Sequence, residues 1–302
     1  MQKKEIEIDI KELFSSLLQQ KWLITIITGT FAISSVLFAL SKPNIYKAEV
    51  LLAPVAEESQ MSGAASQLGG IAAMAGINIG ATQGASRLDL ALETLKSRTF
   101  TNSFIEQRDI LVPLMAMDKW DKSSGNYVIE PSLYDEKTKS WVRTVEEGKS
   151  VTPTPWEAYK EFAKVMSYEK DAANGFIRLT VESQSPILAQ QWVTWLVDDI
   201  NQWIKREDIK EFEANISYIQ DKLRETNISE MQKVFYQLIE EQTKKLMLAE
   251  VQEEYVFKTI DPAVIPEEKS EPSRALICIL GTFLGGFFAL FIALVRHILL
   301  RK

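Results

Sequence analysis

Residues 261–295 read DPAVIPEEKSEPSRALICILGTFLGGFFALFIALV. Three spaced prolines, Pro262, Pro266 and Pro272, lead to Arg274, after which Ala275–Val295 carries no charge and is mostly apolar. At about 1.5 Å per helical residue this run extends roughly 30 Å, the thickness of a bilayer's hydrocarbon core. It predicts a transmembrane helix at residues 275–295 with a short tail, 296–302, behind it. The prolines lack an amide donor and favour a stiff, extended approach to the span.

A second uncharged run, Trp22–Leu40 (WLITIITGTFAISSVLFAL), lies near the other end. It is long enough to span, and the SKPNIYKAEV that follows is no A-x-A-like cleavage site, so it reads as a retained anchor rather than a signal peptide. Two spans put both termini on one side of the membrane and residues 41–274 on the other. Lys3, Lys4, Lys11 and Lys21 precede the first span against Lys42 and Lys47 after it, which favours a cytoplasmic start.

The overall composition, 46% hydrophobic and 25% charged, resembles a soluble protein only because the apolar residues are bunched into those two runs. The chain carries a net charge of −7, and between Lys42 and Arg274 there are 27 Lys/Arg against 37 Asp/Glu, a net of −10. Such a segment is unsuited to gripping phosphate backbones, so no nucleic acid partner is expected. The one cysteine, Cys278, lies inside the second span and the one histidine, His297, beyond it. Neither a disulfide framework nor a His- or Cys-centred catalytic or zinc site is expected. The carboxylate pairs Asp198-Asp199, Glu240-Glu241 and Glu253-Glu254 are adjacent residues on helices, about 100° apart, and do not converge on one bond. The expectation is a protein that is not an enzyme, with no catalytic, cofactor or metal residues.

In chain order, residues 1–21 hold a pair that fits a capping box (Asp9, Glu12) and an apolar face (Leu13, Phe14, Leu17, Leu18), which predicts a short cytoplasmic helix on the membrane surface. Ile45–Leu52 reads as a strand, Ser59–Ser86 as a Gly/Ala-rich loop that fits neither phosphate-loop template, and Ser86–Ile110 as helix with a break near Thr99. Met115–Ser150 is polar and reads as surface loops. Thr154-Pro155 begins a helix, and Phe176–Glu182 alternates as a strand. Ser185-Pro186 then starts a helix running to about Glu225, roughly 60 Å if unbroken. Its first half has a wide apolar face. In its second half Ile209, Phe212, Ile216, Ile219 and Leu223 step by 3 and 4, the narrow seam of a coiled coil that packs either within a hairpin or between subunits. A second helix follows Ser229, and Tyr255–Ile260 is a strand able to return to the base sheet. The expected fold is an α+β membrane protein: two transmembrane helices (22–40 and 275–295) flank an α/β base domain (41–185 and 255–274) with a long helical hairpin extension (186–254).

Several stretches occur in a fixed order around these spans: Ile8-Asp9-Ile10 with Leu13, Leu17 and Lys21-Trp22; Tyr46-Lys47-Ala48; Ala91 through Phe100 (ALETLKSRTF); and Ile260-Asp261-Pro262-Ala263 with Pro266, Pro272 and Arg274. In them the chain resembles, over nearly its whole length, the polysaccharide co-polymerases, specifically the Wzz-type O-antigen chain-length determinants. The resemblance implies an α/β base near the membrane, a long helical extension, and assembly into a bell-shaped ring in the bacterial inner membrane with the bulk in the periplasm. It further implies action with a membrane O-antigen polymerase to set the number of repeat units on a lipid-linked glycan. The Gly/Ala-rich segment Ser59–Ser86 departs from many relatives.

The expected partners are copies of the chain itself, the polymerase, membrane lipids and the lipid-linked glycan. Candidate contact residues are the seam Ile209, Phe212, Ile216, Ile219 and Leu223 for assembly. Pro266, Pro272, Gly281, Gly285 and Gly286 are candidates for transmembrane or polymerase contacts, the glycines forming a small-xxx-small face that pairs the spans, meets the polymerase or faces lipid. Two other classes share features with this chain. Capsule-export co-polymerases with a fused tyrosine kinase need a Walker-type loop after the second span, and periplasmic pump adaptors use helical hairpins but usually one anchor.

Overall fold

The computed structural model describes residues 20–55 and 87–300 and divides into two compact units, residues 1–46 with 268–302 and residues 47–267. The expectations for residues 1–19 and for the whole Gly/Ala-rich segment, residues 59–86, lie outside the described residues. The first long element is α1 (Lys21–Ser41). Three of its hydroxyls do not burden an apolar helix, because Thr25, Thr30 and Ser35 donate back to the carbonyls of Lys21, Ile26 and Ala32 at 2.8–2.9 Å.

The larger unit is built on β1 (Tyr46–Pro54), whose alternate residues Ala48, Val50 and Leu52 are buried as a half-exposed strand requires. Next come α2 (Arg87–Lys96) and α3 (Arg98–Gln107). The break between them falls at Ser97, two residues earlier than the sequence indicated, because the Ser97 hydroxyl accepts the Phe100 amide at 3.2 Å and caps the second helix.

A short α4 (Leu111–Ala116) then leads into two small antiparallel ladders, β2 (Met117–Asp121) with β3 (Asn126–Ile129), and β4 (Tyr134–Asp135) with β5 (Ser140–Trp141). This corrects the reading of 115–150 as loops alone. The turns are made by side chains rather than by an apolar pattern: Asp121 accepts from the hydroxyls of Ser123 (2.6 Å) and Ser124 (2.9 Å), which hold its carboxyl down at about 2. The Tyr134 and Trp141 rings meet edge to face at 5.2 Å.

Helix α5 (Pro155–Val165) begins with a full capping box. The Glu157 amide donates to Thr154 Oγ1 at 3.3 Å and the Thr154 amide to Glu157 Oε2 at 2.8 Å, while Arg143 bonds both carboxylate oxygens at 2.8 and 3.2 Å. Arg143 first, then the Thr154 amide, hold the Glu157 carboxyl at about 2. Its contribution is complete above the ordinary carboxylate range and is lost as pH falls from that range toward about 2. Thr154→Ala is expected to cost about 1 kcal/mol, measured as a lower urea midpoint for the purified chain.

The helix passes without a turn into β6 (Met166–Lys170), a strand that carries no separating signal in the sequence, and β6 pairs antiparallel with β7 (Ile177–Ser183). Helix α6 (Pro186–Glu225) starts at Ser185, whose hydroxyl accepts the Leu188 amide at 3.3 Å. Then come α7 (Ser229–Val251), β8 (Phe257–Asp261) and α8 (Arg274–Leu300). Strand β8 pairs antiparallel with β1, giving a four-stranded sheet in the order β6-β7-β1-β8.

The core lies where α6 crosses this sheet. Ala189, Trp192, Val193, Leu196, Ile200 and Ile204 are spaced to cover one broad face of the helix, and they are buried together with Leu52, Ile177, Leu179 and Val181. An aromatic chain continues it, with Phe104 5.3 Å from Phe162 and Phe162 6.4 Å from Trp192. Among the buried polar side chains, Asn201 ties two elements together. Asn201 accepts the amides of Val256 (2.8 Å) and Phe257 (2.9 Å) and donates to the Phe257 carbonyl at 3.0 Å, which fixes the start of β8 against the middle of α6.

Candidate functional site

Two regions hold the candidate residues, and each takes its form from a local rule. In the smaller unit α1 and α8 pack along their lengths, both long and apolar enough to cross a membrane. A Cβ placed on Gly281 would fall inside the van der Waals envelope of Ser35 Cβ, and one on Gly285 inside that of Phe31 Cβ. Bare glycine is what lets the backbones approach this closely. Gly286 is looser, its nearest atom being Thr28 Oγ1 at 4.0 Å. The sequence left the partner of the glycine face open; in this chain the face is covered by the chain's own first span.

Two further residues belong to the contact. Ala289 and Ala293 are fully buried and extend the stripe to Gly281, Gly285, Ala289 and Ala293, four small residues at intervals of four. That spacing is legible in the sequence once the glycine pair is continued by whole turns. The Phe31 and Phe288 rings stack beside the stripe at 6.0 Å, and Gln20 Nε2 donates to the Ala293 carbonyl at 3.3 Å.

On the other side of the spans the two chain segments are tied directly. The Ile45 amide donates to the Glu271 carbonyl at 2.9 Å, and the Ser270 amide to the Ile45 carbonyl at 2.8 Å. Pro272 follows this bridge, and its carbonyl accepts from the Arg274 amide at 2.9 Å and from Lys269 Nζ at 3.1 Å. Arg274 also donates to Asn44 Oδ1 at 3.1 Å. Pro266 sits in the larger unit, half-buried between exposed Ile265 and Glu267.

The second region is the distal half of α6. Beyond Ile204 the helix leaves the core, and Ile209, Phe212, Ile216, Ile219 and Leu223 form a half-buried line while most of their neighbours are exposed. Helix α7 packs alongside. Its half-buried residues Val234, Phe235, Leu238, Ile239 and Leu246 repeat the same 3–4 spacing. The pair is tied near α7's end by Lys205 Nζ, which donates to the carbonyls of Glu250 and Gln252 at 2.8 Å, and at the turn by Gln232 Nε2 to the Thr226 carbonyl at 2.8 Å.

The carboxylate pair Asp198-Asp199 serves structure. Asp199 takes Arg108 in a two-toothed ion pair at 2.6 and 3.0 Å, and the guanidinium lies 5.2 Å over Trp195. Burial first, then the Asp199 charge, raise the Asp198 carboxyl. Tyr255 Oη likewise donates to Asp208 at 2.7 Å, with Arg87 at 3.1 Å from the same oxygen.

Comparison with known proteins places these regions in context. The family model described as "Wzz: Chain length determinant protein" matches residues 6–108, and that described as "G-rich domain on putative tyrosine kinase" matches residues 220–298. No curated protein matches the chain. A solved structure titled "full-length bacterial polysaccharide co-polymerase" aligns over 97% of this chain and 99% of its own, at 14% identity and a TM-score of 0.40. The first family match falls on the segment that carries the Ile8-Asp9-Ile10, Tyr46-Lys47-Ala48 and Ala91–Phe100 motifs and contains the first span. Over residues 6–108, about a third of its length, the chain is similar to the chain length determinant family.

Proposed function

We propose that the chain regulates O-antigen chain length as a non-catalytic, ring-forming scaffold in the bacterial inner membrane, with both termini cytoplasmic and residues 41–274 in the periplasm. The observation that carries this reading is the combination of two spans zipped together by the small-residue stripe with one acidic unit, residues 47–267, inserted between them. Influence on a membrane polymerase and its lipid-linked glycan then passes through shape and assembly rather than bond chemistry. The test is the lipopolysaccharide ladder of cells with and without this chain. A modal band distribution that flattens on deletion supports the reading, and an unchanged ladder removes it.

A second reading is favoured by the match at residues 220–298: a co-polymerase for capsule or exopolysaccharide. It predicts the opposite result, an unchanged O-antigen ladder and an altered size of the capsular or secreted polymer.

Within the ring the seam on α6 is the proposed assembly contact, since its residues stay half-exposed after α7 has packed. Ile216→Asp with Ile219→Asp puts two carboxylates into that line, and burying each uncompensated charge costs several kcal/mol. The expected outcome is loss of the oligomer in detergent, read by light scattering; an intact oligomer would assign the seam to intra-chain packing alone.

A further inference from the structure

On the larger unit an exposed aromatic and three cations share one patch. Trp156, in the first turn of α5, is 49% exposed and stacks on Tyr159 at 5.8 Å and 28°. Arg98, the first residue of α3, lies 5.6 Å from the Trp156 ring centre and Lys160 4.9 Å. Beside them Tyr159 Oη donates to the Lys96 carbonyl at 3.2 Å, and Lys96 Nζ sits 4.2 Å over the Tyr168 ring.

These cations differ from those around them. Lys164 is paired with Glu161, Lys170 with Asp89 and Arg143 with Glu157. Among the described residues Lys96, Arg98 and Lys160 have no carboxylate in ion-pair contact, although Lys96 feels the charge of Glu93. Arg98 also stands at a helix start, where the aligned peptide dipoles disfavour a positive charge. Two unneutralised cations thus lie against one exposed ring, with a third, Lys96, over Tyr168 beside it, in a segment whose net charge is −10. An anionic polymer approaching residues 42–274 is repelled by that net charge and attracted at this patch.

We propose that this patch is a binding platform for an acidic saccharide, the C–H face of a sugar ring lying against Trp156 and its carboxylate held between Arg98 and Lys160. The ring supplies an apolar, polarisable surface that hydroxyl-rich but flat-faced sugars need, and the two long cationic side chains supply charge-assisted hydrogen bonds. An acidic polypeptide would be satisfied by the cations alone and has no use for the indole. The proposal rests on the reading of the chain as a glycan-length regulator, and it names the kind of sugar that reaches it.

The test uses the full chain in detergent micelles and fluorescently labelled oligogalacturonate, read by anisotropy, with dextran and polyglutamate as competitors. Oligogalacturonate is expected to bind, and Trp156→Ala to weaken it about tenfold, the loss typical of one stacking contact. Arg98→Gln with Lys160→Gln should weaken it at least as much, and dextran should not compete. Failure of oligogalacturonate to bind overturns the proposal. So does polyglutamate competing equally well with binding insensitive to Trp156→Ala, which would make the patch a docking point for an acidic protein. Both results are independent of the ladder experiment, so a glycan-length regulator lacking this site is distinguishable from a chain that regulates no glycan.

Discussion

In membranes carrying Gly281→Leu together with Gly285→Leu, a disulfide between native Cys278 and a cysteine placed at Ala39 is expected to fall to background. Gly281 faces Ser35 and Gly285 faces Phe31, so the antiparallel progression puts Cys278, about one turn before Gly281 toward the start of α8, level with Phe38 and Ala39. Oxidation of the otherwise native chain should therefore join the two helices efficiently. Leucine at either glycine must displace atoms that are already in contact, Ser35 Cβ and Oγ in one case and Phe31 Cβ and Cγ in the other. Overpacking of this kind costs roughly 1–3 kcal/mol per site, and the two sites lie on one face, one turn apart, so the helices cannot rotate to spare one at the expense of the other. Gly286→Ala, with 4.0 Å to its nearest neighbour, and Gly29→Leu, with nothing within 4 Å, should leave the cross-link intact. If the proposed function holds, the double leucine variant remains in the membrane while the glycan length distribution shifts. An undiminished cross-link would show that the stripe does not hold the spans together.

Asn201→Ala is expected to destabilise the larger unit by about 3–9 kcal/mol, since three buried backbone groups lose their partner and each orphan costs about 1–3 kcal/mol. The groups are the Val256 and Phe257 amides and the Phe257 carbonyl, with Phe257 fully buried and Val256 nearly so. Asn201→Asp separates the donor from the acceptor role. Its carboxylate still accepts both amides but faces the Phe257 carbonyl without a proton, and burial raises its pKa above the unfolded value. Its penalty is therefore greatest at neutral pH and shrinks as pH falls through that raised pKa, where the protonated oxygen donates to the carbonyl. Urea unfolding of the purified chain in detergent, followed by tryptophan fluorescence at several pH values, reads both effects. A pH-independent loss in Asn201→Asp would mean that the site is wetted and the network is not sealed.

The two long apolar helices, α1 and α8, were legible because their signal is local and continuous: an uncharged run needs no partner to be recognised. The starts of α5 and α6 were legible for a related reason, each being written as a hydroxyl residue followed by proline, Thr154-Pro155 and Ser185-Pro186. Strand β6 was not, because Met166 ends α5 and begins the strand in one residue, leaving no Gly, Pro or Asn to mark the change. The ladders in 115–150 were hidden by their polarity, since β2 and β3 present mostly exposed or half-exposed residues and take their turns from Asp and Ser side chains. Of the candidate site, the glycines were visible and their partners Ser35 and Phe31 were not, since nothing in either span alone states the register between them. Asn201 sits inside an amphipathic helix among residues of the same face, and only the return of Val256 and Phe257 to that point gives it a role.

The pairing of β1 with β8 joins the first and last strands of the larger unit across about 200 residues, an order of sequence separation that makes folding slow. During synthesis β1 emerges early and waits with one long edge unpaired until nearly all of the intervening chain has been translated. By then the ribosome is about to deliver the second long apolar helix, α8. Completion of the sheet and arrival of that helix are thereby nearly simultaneous, so a chain truncated anywhere before Phe257 is left with an open strand edge and without the helix that packs on α1.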